Sequence, residues 1–321
     1  PLWQALRYAA PAMMAGNTTV LKHANNVTGC ALALERMFAE SNFPEDAFRV
    51  LIVDVPRVQG IIKHPLVAGV TLTGSVRAGS AVGSQAGSVM KKSVLELGGS
   101  DPFIVLEDAD LDEAAKAGAF SRLLANGQTC IAAKRFIVPD AIRDDFENKL
   151  VAEMSKTIQG DPLKPETTLG PLARPDLRES LHGQVTASTK AGAQALLGCE
   201  PGDGAFYPAS VLTDVGPGMP AYDEEVFGPV AAVIPVSDEN EAIRVANDTE
   251  YGLGAVVFSR DVHRAEAIAR DKLEAGNCFV NTFVKSDPRL PFGGVKHSGY
   301  GRELGAIGIT EFVNIKTVYV K

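Results

Sequence analysis

Val67 to Thr73 is an unbroken run of apolar and β-branched residues that leads into Gly74-Ser75-Val76-Arg77-Ala78-Gly79, which opens a helix to about Met90. Such a run suits a strand buried on both faces, as strands of a parallel sheet are. The pattern recurs along the chain. Thr18 to His23, Phe48 to Val53 and Ser93 to Leu97 read as strands, with helices at Leu2 to Met14, Gly29 to Glu40 and Val55 to His64. After Gly98-Gly99-Ser100-Asp101-Pro102, strands at Phe103 to Leu106, Arg135 to Val138, Ala193 to Leu197, Phe206 to Leu212, Val230 to Pro235, Gly254 to Ser259 and Cys278 to Asn281 alternate with helices at Leu111 to Ala125, Ala141 to Ile158, Asp176 to Ala191, Glu239 to Asn247 and Val262 to Ala275. Regular alternation is the mark of a mainly parallel sheet wrapped by helices. The expected fold class is α/β, with two doubly wound, mainly parallel-sheet domains that divide at Gly98-Gly99. A chain of 321 residues, 45% of them hydrophobic, can bury two such cores.

The net charge of −8, without any basic run, argues against nucleic acid or an anionic membrane as partner. Four cysteines are scattered singly with no CxxC, which suits a reducing, cytoplasmic setting. The five histidines are equally dispersed, so no metal site is expected. No apolar segment reaches the length of a membrane helix.

Asn126-Gly127-Gln128-Thr129-Cys130 sets one cysteine just ahead of an apolar run. A thiolate is a strong nucleophile, so a cysteine at a loop-to-strand turn is a candidate for covalent catalysis. Taken alone, Cys130 reads first as a small buried hydrophobe. Four further stretches change that reading: Leu95-Glu96-Leu97-Gly98-Gly99, Glu224-Glu225-Val226-Phe227-Gly228-Pro229, Pro291-Phe292-Gly293-Gly294 and Ser298-Gly299-Tyr300-Gly301-Arg302-Glu303. In this order and at these separations they resemble the aldehyde dehydrogenase superfamily, and the resemblance runs from Pro1 to Lys321.

The resemblance implies a cofactor-binding domain over 1–97, a catalytic domain over 98–297, and a return helix and oligomerisation strand over 298–321. It implies oxidation of an aldehyde to its carboxylic acid with NADP or NAD. Cys130 would add to the carbonyl to give a thiohemiacetal, hydride would pass to the nicotinamide, and a thioester would remain. Glu96 would activate the water that releases the acid. Its neighbours Leu95 and Leu97 and the two glycines are apolar, a setting that raises a carboxyl pKa toward the working pH. The other reading of Glu96 is a strand-end carboxylate paired with a basic side chain. The backbone N–H of Cys130 can donate to the oxyanion. The family's second donor, an asparagine amide, belongs just before the residue matching Pro1, so a substantial segment is expected ahead of Pro1. An assembly-competent fragment that turns nothing over is the alternative of another class.

No GxGxxG is present. The resemblance instead puts the pyrophosphate at a helix N-terminus matched by Gly74, Ser75 and Gly79, where orphan N–H groups and the helix dipole suit phosphate. A capping serine with packing glycines is compatible with the same residues. Lys22 matches a lysine that holds the adenosine ribose, and Leu97 belongs to the cofactor-lining stretch. Asn25 stands where NAD-preferring relatives often carry a glutamate, so the 2'-phosphate of NADP is not repelled. Glu225 matches the carboxylate that grips the nicotinamide ribose, with Phe227 beside it; alternatively it forms a solvated acidic pair with Glu224.

For the substrate, Arg7 and Ser286 fall where succinate semialdehyde dehydrogenases place groups for the substrate carboxylate, and a charge-assisted hydrogen bond is strong enough to decide substrate class. Leu124 replaces a second arginine seen in some relatives, which allows a looser tunnel. Trp3 either lines that tunnel or is exposed at the helix start. Succinate semialdehyde is the expected substrate, with a broad-range aldehyde dehydrogenase as the alternative; acylation of coenzyme A is disfavoured by Glu96. Glu311 to Lys321 alternates as an exposed strand does, and such an edge needs a partner. A homodimer or homotetramer is therefore expected.

Overall fold

A computed structural model describes residues 1–321. The chain divides into two compact units, one made of Pro1–Leu97, Ser286–Gly294 and Gly299–Lys321, the other of Gly98–Lys285 and Val295–Ser298. The segment 298–321 is thus not a body of its own. Gly299–Lys321 joins the first unit, as does Ser286–Gly294, which the sequence reading assigns to the second.

The first unit begins with α1 (Leu2–Met14), β1 (Thr19–Leu21), α2 (Thr28–Glu40), β2 (Phe48–Val50), α3 (Val55–Lys63), β3 (Gly69–Thr73), α4 (Val76–Gly87) and β4 (Lys92–Glu96). Ala5 and Ala9 on α1, and Leu34 and Phe38 on α2, are spaced four apart and so share a helix face. They pack together with Phe48 of β2, and the Phe38 and Phe48 rings stack 4.6 Å apart. β1 and β2 pair in parallel, as do β3 and β4, whose register matches Thr73 with Glu96. β3 is half-buried along its length, against the expectation of a strand covered on both faces. It lies at the edge of its sheet, with β4 as its only hydrogen-bonded neighbour.

The second unit contains β5 (Asp101–Val105), α5 (Leu111–Leu123), β6 (Ala133–Pro139), α6 (Asp140–Met154), α7 (Pro175–Lys190), β7 (Gln194–Leu197), β8 (Ser210–Thr213), α8 (Pro220–Asp223), β9 (Val230–Val236), α9 (Glu239–Asn247), β10 (Tyr251–Gly252), β11 (Gly254–Phe258), α10 (Val262–Asp271), β12 (Asn277–Val280) and β13 (Val295–Lys296). Seven of these strands form one sheet in the order β12-β11-β5-β6-β9-β8-β7, parallel except for β7 against β8. Side chains alternate across it with the period of a strand. Phe103, Val105, Phe136, Val138, Val233 and Val256 face one core; Ile104, Ile137, Ile234 and Val257 face the other.

The chain ends in the first unit with β14 (Gly299–Tyr300) and α11 (Gly305–Thr310). β14 runs antiparallel to β4 and matches Gly299 with Glu96, so Glu96 closes the central strand of a three-stranded sheet. Residues 314–321 are in neither helix nor strand, and Ile315, Val318, Tyr319 and Val320 are exposed. The expected C-terminal strand is therefore absent within the chain: the alternation is there, but no strand of the same chain hydrogen-bonds to it. No helix is long and apolar enough to cross a membrane.

Candidate active site

In the second unit, the loop that presents Cys130 is held in a shape few sequences adopt. Ala125, Asn126 and Gly127 all have positive φ, at 52°, 58° and 72°. Such conformations persist only where the surroundings over-determine them, and here they do. The Asn126 amide donates to Pro171 O at 3.1 Å and accepts from Gly170 N at 2.8 Å, while Gln128 Oε1 accepts from Ala173 N at 2.9 Å. Arg122, wholly buried, donates to Gly127 O at 2.6 Å. A Cβ on Gly127 would lie 2.3 Å from the Gly228 carbonyl carbon, so the loop closes on Gly228-Pro229 only through glycine. Cys130 emerges from this loop half-buried and outside any disulfide.

Glu225 and Cys130 are brought together around the paired glycines. Gly99 N donates to Glu225 Oε1 at 2.9 Å. A Cβ at Gly98 would stand 2.5 Å from Glu225 Oε2, and one at Gly99 would stand 2.6 Å from the Cys130 carbonyl oxygen. Lys134 Nζ donates to that carbonyl at 2.8 Å and lies 3.8 Å from Glu225 Oε1. Glu225 is thus not a solvated partner of Glu224. Phe227, in the same stretch, is 36% exposed.

In the first unit, Glu96 is 1% exposed, and neither of its carboxylate oxygens has a hydrogen-bond partner. Its pKa is pushed up to about 8, chiefly by burial and then by the Glu303 carboxylate, with Arg7 and Arg302 opposing. A Cβ on Gly293 would sit 2.9 Å from Glu96 Oε1, so the chain approaches the carboxyl closely there. A buried carboxyl without a hydrogen bond and with a pKa near neutrality suits a group that must exchange protons.

Arg7 is held by side chains of its own unit. Its Nε is hydrogen-bonded to Glu303, its Nη2 stands 3.7 Å from Glu96 Oε2, and its guanidinium lies 4.5 Å from the Phe292 ring centroid. It is 4% exposed. Arg7 thus belongs to the setting of Glu96, and it also stands where the resemblance puts a group for the substrate carboxylate. Trp3 and Ser286 do come together, with Trp3 Nε1 donating to Ser286 Oγ at 2.8 Å, and Trp3 is 45% exposed.

The remaining residues lie at carboxyl ends of parallel strands, where α/β sheets bind ligands. Lys22 directly follows β1, and Asn25, exposed, opens a short 3₁₀ turn at Asn25–Val27. Gly74 and Ser75 follow β3 and are exposed, and Ser75 caps α4 by accepting from Ala78 N at 3.3 Å. Gly79 and Leu97 are matched by packing: a Cβ on Gly79 would lie 2.5 Å from the Leu97 methyls, and Leu97 is buried. Gly79 thus lets α4 pack closely on Leu97, while Gly74 and Ser75 are exposed.

Sequence reasoning gave no role to Lys134, Arg122 or Glu303. For Lys134 a signal existed, since Lys134-Arg135 places two cations inside an apolar strand. Arg135 bonds Val245 O and Ala246 O at 2.9 Å and Ser100 O at 3.0 Å, closing the C-terminus of α9. Glu303 lay within a motif quoted only for its resemblance.

Residues 1–318 match the aldehyde dehydrogenase family. The chain is 50% identical over its full length to succinate-semialdehyde dehydrogenase (NADP(+)) 1 of Mycobacterium ulcerans, of which it spans 70%. It is 49% identical to succinate semialdehyde dehydrogenase (NAD(P)+) of Escherichia coli, over 99% of the chain and 69% of that protein. The crystal structure of a Streptococcus pyogenes succinic semialdehyde dehydrogenase with NADP+ superposes with a TM-score of 0.96 at 41% identity, covering 99% of this chain and 70% of that one.

Proposed function

The chain belongs to the aldehyde dehydrogenase family, and on that basis we propose that it oxidises succinate semialdehyde to the acid through a covalent intermediate on Cys130, with Glu96 as the base that activates water. The observation that carries this reading is Glu96, a buried carboxyl without a hydrogen-bond partner whose pKa is raised to about 8. Such a group costs stability and is retained where a proton must be moved.

The residues present suit a nicotinamide dinucleotide. Any helix leaves its first N–H groups without partners inside the helix, and at α4 the capping Ser75 takes only that of Ala78. Gly74 and Ser75 are exposed ahead of them, and Arg77 adds a positive charge in the first turn, so the donor set suits a diphosphate. Lys22, Asn25, Gly74 and Ser75 would hold the adenosine end, and Glu225 the nicotinamide ribose. When bound, the nicotinamide supplies acceptance of a hydride. Asn25 is neutral, so a 2'-phosphate meets Lys22 without an opposing carboxylate, and the relatives named above use NADP(+) or NAD(P)+.

The Cys130 thiolate adds to the aldehyde carbon, forming a C–S bond and an oxyanion that the Cys130 N–H can receive. Loss of hydride from that carbon leaves a thioester. Glu96, as carboxylate, then takes a proton from water as the water oxygen adds to the thioester carbon. The C–S bond breaks, the acid departs and Cys130 is restored. Trp3 and Ser286 offer a ring and a hydroxyl for the far end of the substrate. Initial rates with succinate semialdehyde and with a neutral aldehyde of similar length, each with NADP and NAD, test the assignment. The expected result is a kcat/KM at least about tenfold higher for the semialdehyde, with NADP accepted. Equal values for both aldehydes indicate a broad-range enzyme.

A further inference from the structure

Lys134 is a cation where the fold needs none. It sits near the start of β6, a strand buried at every residue, and its side chain is 1% exposed. An ammonium in such a place is costly unless its protons are taken. They go to Cys130 O at 2.8 Å, Thr129 O at 3.2 Å and Ala132 O at 3.3 Å, and Glu225 Oε1 lies 3.8 Å away. The acceptors therefore bracket the sulfur-bearing residue: its own carbonyl, the one before it and one two residues on. Glu225 is fixed in turn by Gly99 N at 2.9 Å. Burial pulls the Lys134 pKa down and Arg122 adds to that, while Glu225, Asp101 and Cys130 hold the ammonium in its charged form.

The chemistry proposed above makes no use of this cation. We infer that Lys134 is a positioning residue for the reaction: its ammonium clamps the backbone on both sides of Cys130, ties that loop to Glu225, and supplies the positive charge that favours the ionised sulfur. One charge thereby sets both the nucleophile and the carboxylate that would grip the nicotinamide ribose. The inference rests on the reading of Cys130 as nucleophile.

The test is the pH dependence of Cys130 alkylation by iodoacetamide, followed by mass spectrometry so that Cys30, Cys199 and Cys278 are counted separately. It requires no turnover. Lys134→Met keeps the length of the side chain without its charge, and the alkylation midpoint of Cys130 is expected to rise by about one pH unit. Glu225→Gln keeps the ammonium and removes its nearest carboxylate, and the midpoint is expected to fall. A role confined to stability lowers Tm and leaves both midpoints where they are, and that result overturns the inference. If Lys134→Met does not fold, Glu225→Gln alone decides, since an unchanged or raised midpoint there contradicts the clamp. Failure of the underlying reading looks different: Cys130→Ala would continue to oxidise aldehyde, whatever the midpoints show.

Discussion

Arg7 Nη2 stands 3.7 Å from Glu96 Oε2 while Arg7 Nε is hydrogen-bonded to Glu303, so one buried guanidinium is shared between two buried carboxyls. The sharing is unequal, and Glu96 retains two oxygens without hydrogen bonds. This arrangement makes Arg7 part of the setting of Glu96. Arg7→Met alone would leave Glu303 buried and unpaired, at about 3–5 kcal/mol, so the informative variant is Arg7→Met with Glu303→Gln. Its kcat/KM is expected to change by the same factor for succinate semialdehyde and for a neutral aldehyde of equal length. A loss confined to the semialdehyde returns Arg7 to the substrate carboxylate.

Glu303 raises the pKa of Glu96 more than Arg7 lowers it. Glu303→Gln therefore moves the rising limb of the kcat–pH profile, set near 8 by Glu96, toward lower pH. The measurement is steady-state kcat between pH 6 and 9.5, covering the range around that value. A limb that stays in place separates the rate-limiting ionisation from Glu96.

The same carboxyl links stability to pH. The folded pKa of Glu96 is about 8, above its ordinary value of 4.5, so the folded state holds the proton more tightly than the unfolded one. The stabilisation from this group is complete below about pH 4.5 and is lost as pH rises through about 8. Glu96→Gln cannot ionise and escapes that loss. Its Tm relative to the parent is expected to rise between pH 5 and pH 9, reflecting a few kcal/mol at most. A Tm difference that does not vary with pH places the Glu96 proton in the ordinary carboxyl range.

Gly127→Ala tests the loop that carries Cys130. The substitution puts a side chain at a φ of 72° and a Cβ 2.3 Å from the Gly228 carbonyl carbon. Strain and backbone displacement together should cost about 2 kcal/mol or more, read from the urea midpoint, with slower alkylation of Cys130. A stability loss below about 0.5 kcal/mol would show that the approach of Gly127 to Gly228 is not needed.

Much of this architecture was legible because the alternation of buried strands and amphipathic helices survives in the sequence. Leu111–Leu123, Pro175–Lys190 and Val230–Val236 begin and end close to where periodicity and turn residues put them. What periodicity does not carry is the company of a side chain. Arg7 lies in the middle of α1 and reads as available, yet Glu303, 296 residues away, is hydrogen-bonded to it. Lys134 and Arg135 lie inside an apolar strand where pattern offers no partner, and the partners are loop and helix-end carbonyls that only the fold brings near. The C-terminal alternation reads as a strand, but a strand is a pairing, and no strand of this chain supplies the other half. The motif around Cys130 singled it out as the candidate nucleophile, whereas the positive φ values of Ala125 and Asn126 are imposed by contacts at 170–173.

The measurement closest to the centre of this account is a single-turnover reaction of Glu96→Gln with succinate semialdehyde and NADP, quenched in acid and mapped by mass spectrometry. The account predicts one equivalent of reduced cofactor per chain and an acyl group on Cys130 that accumulates because water is no longer activated, with neither signal in Cys130→Ala. Sustained oxidation by Cys130→Ala, or reduction of cofactor by Glu96→Gln without any acyl group on Cys130, would contradict it.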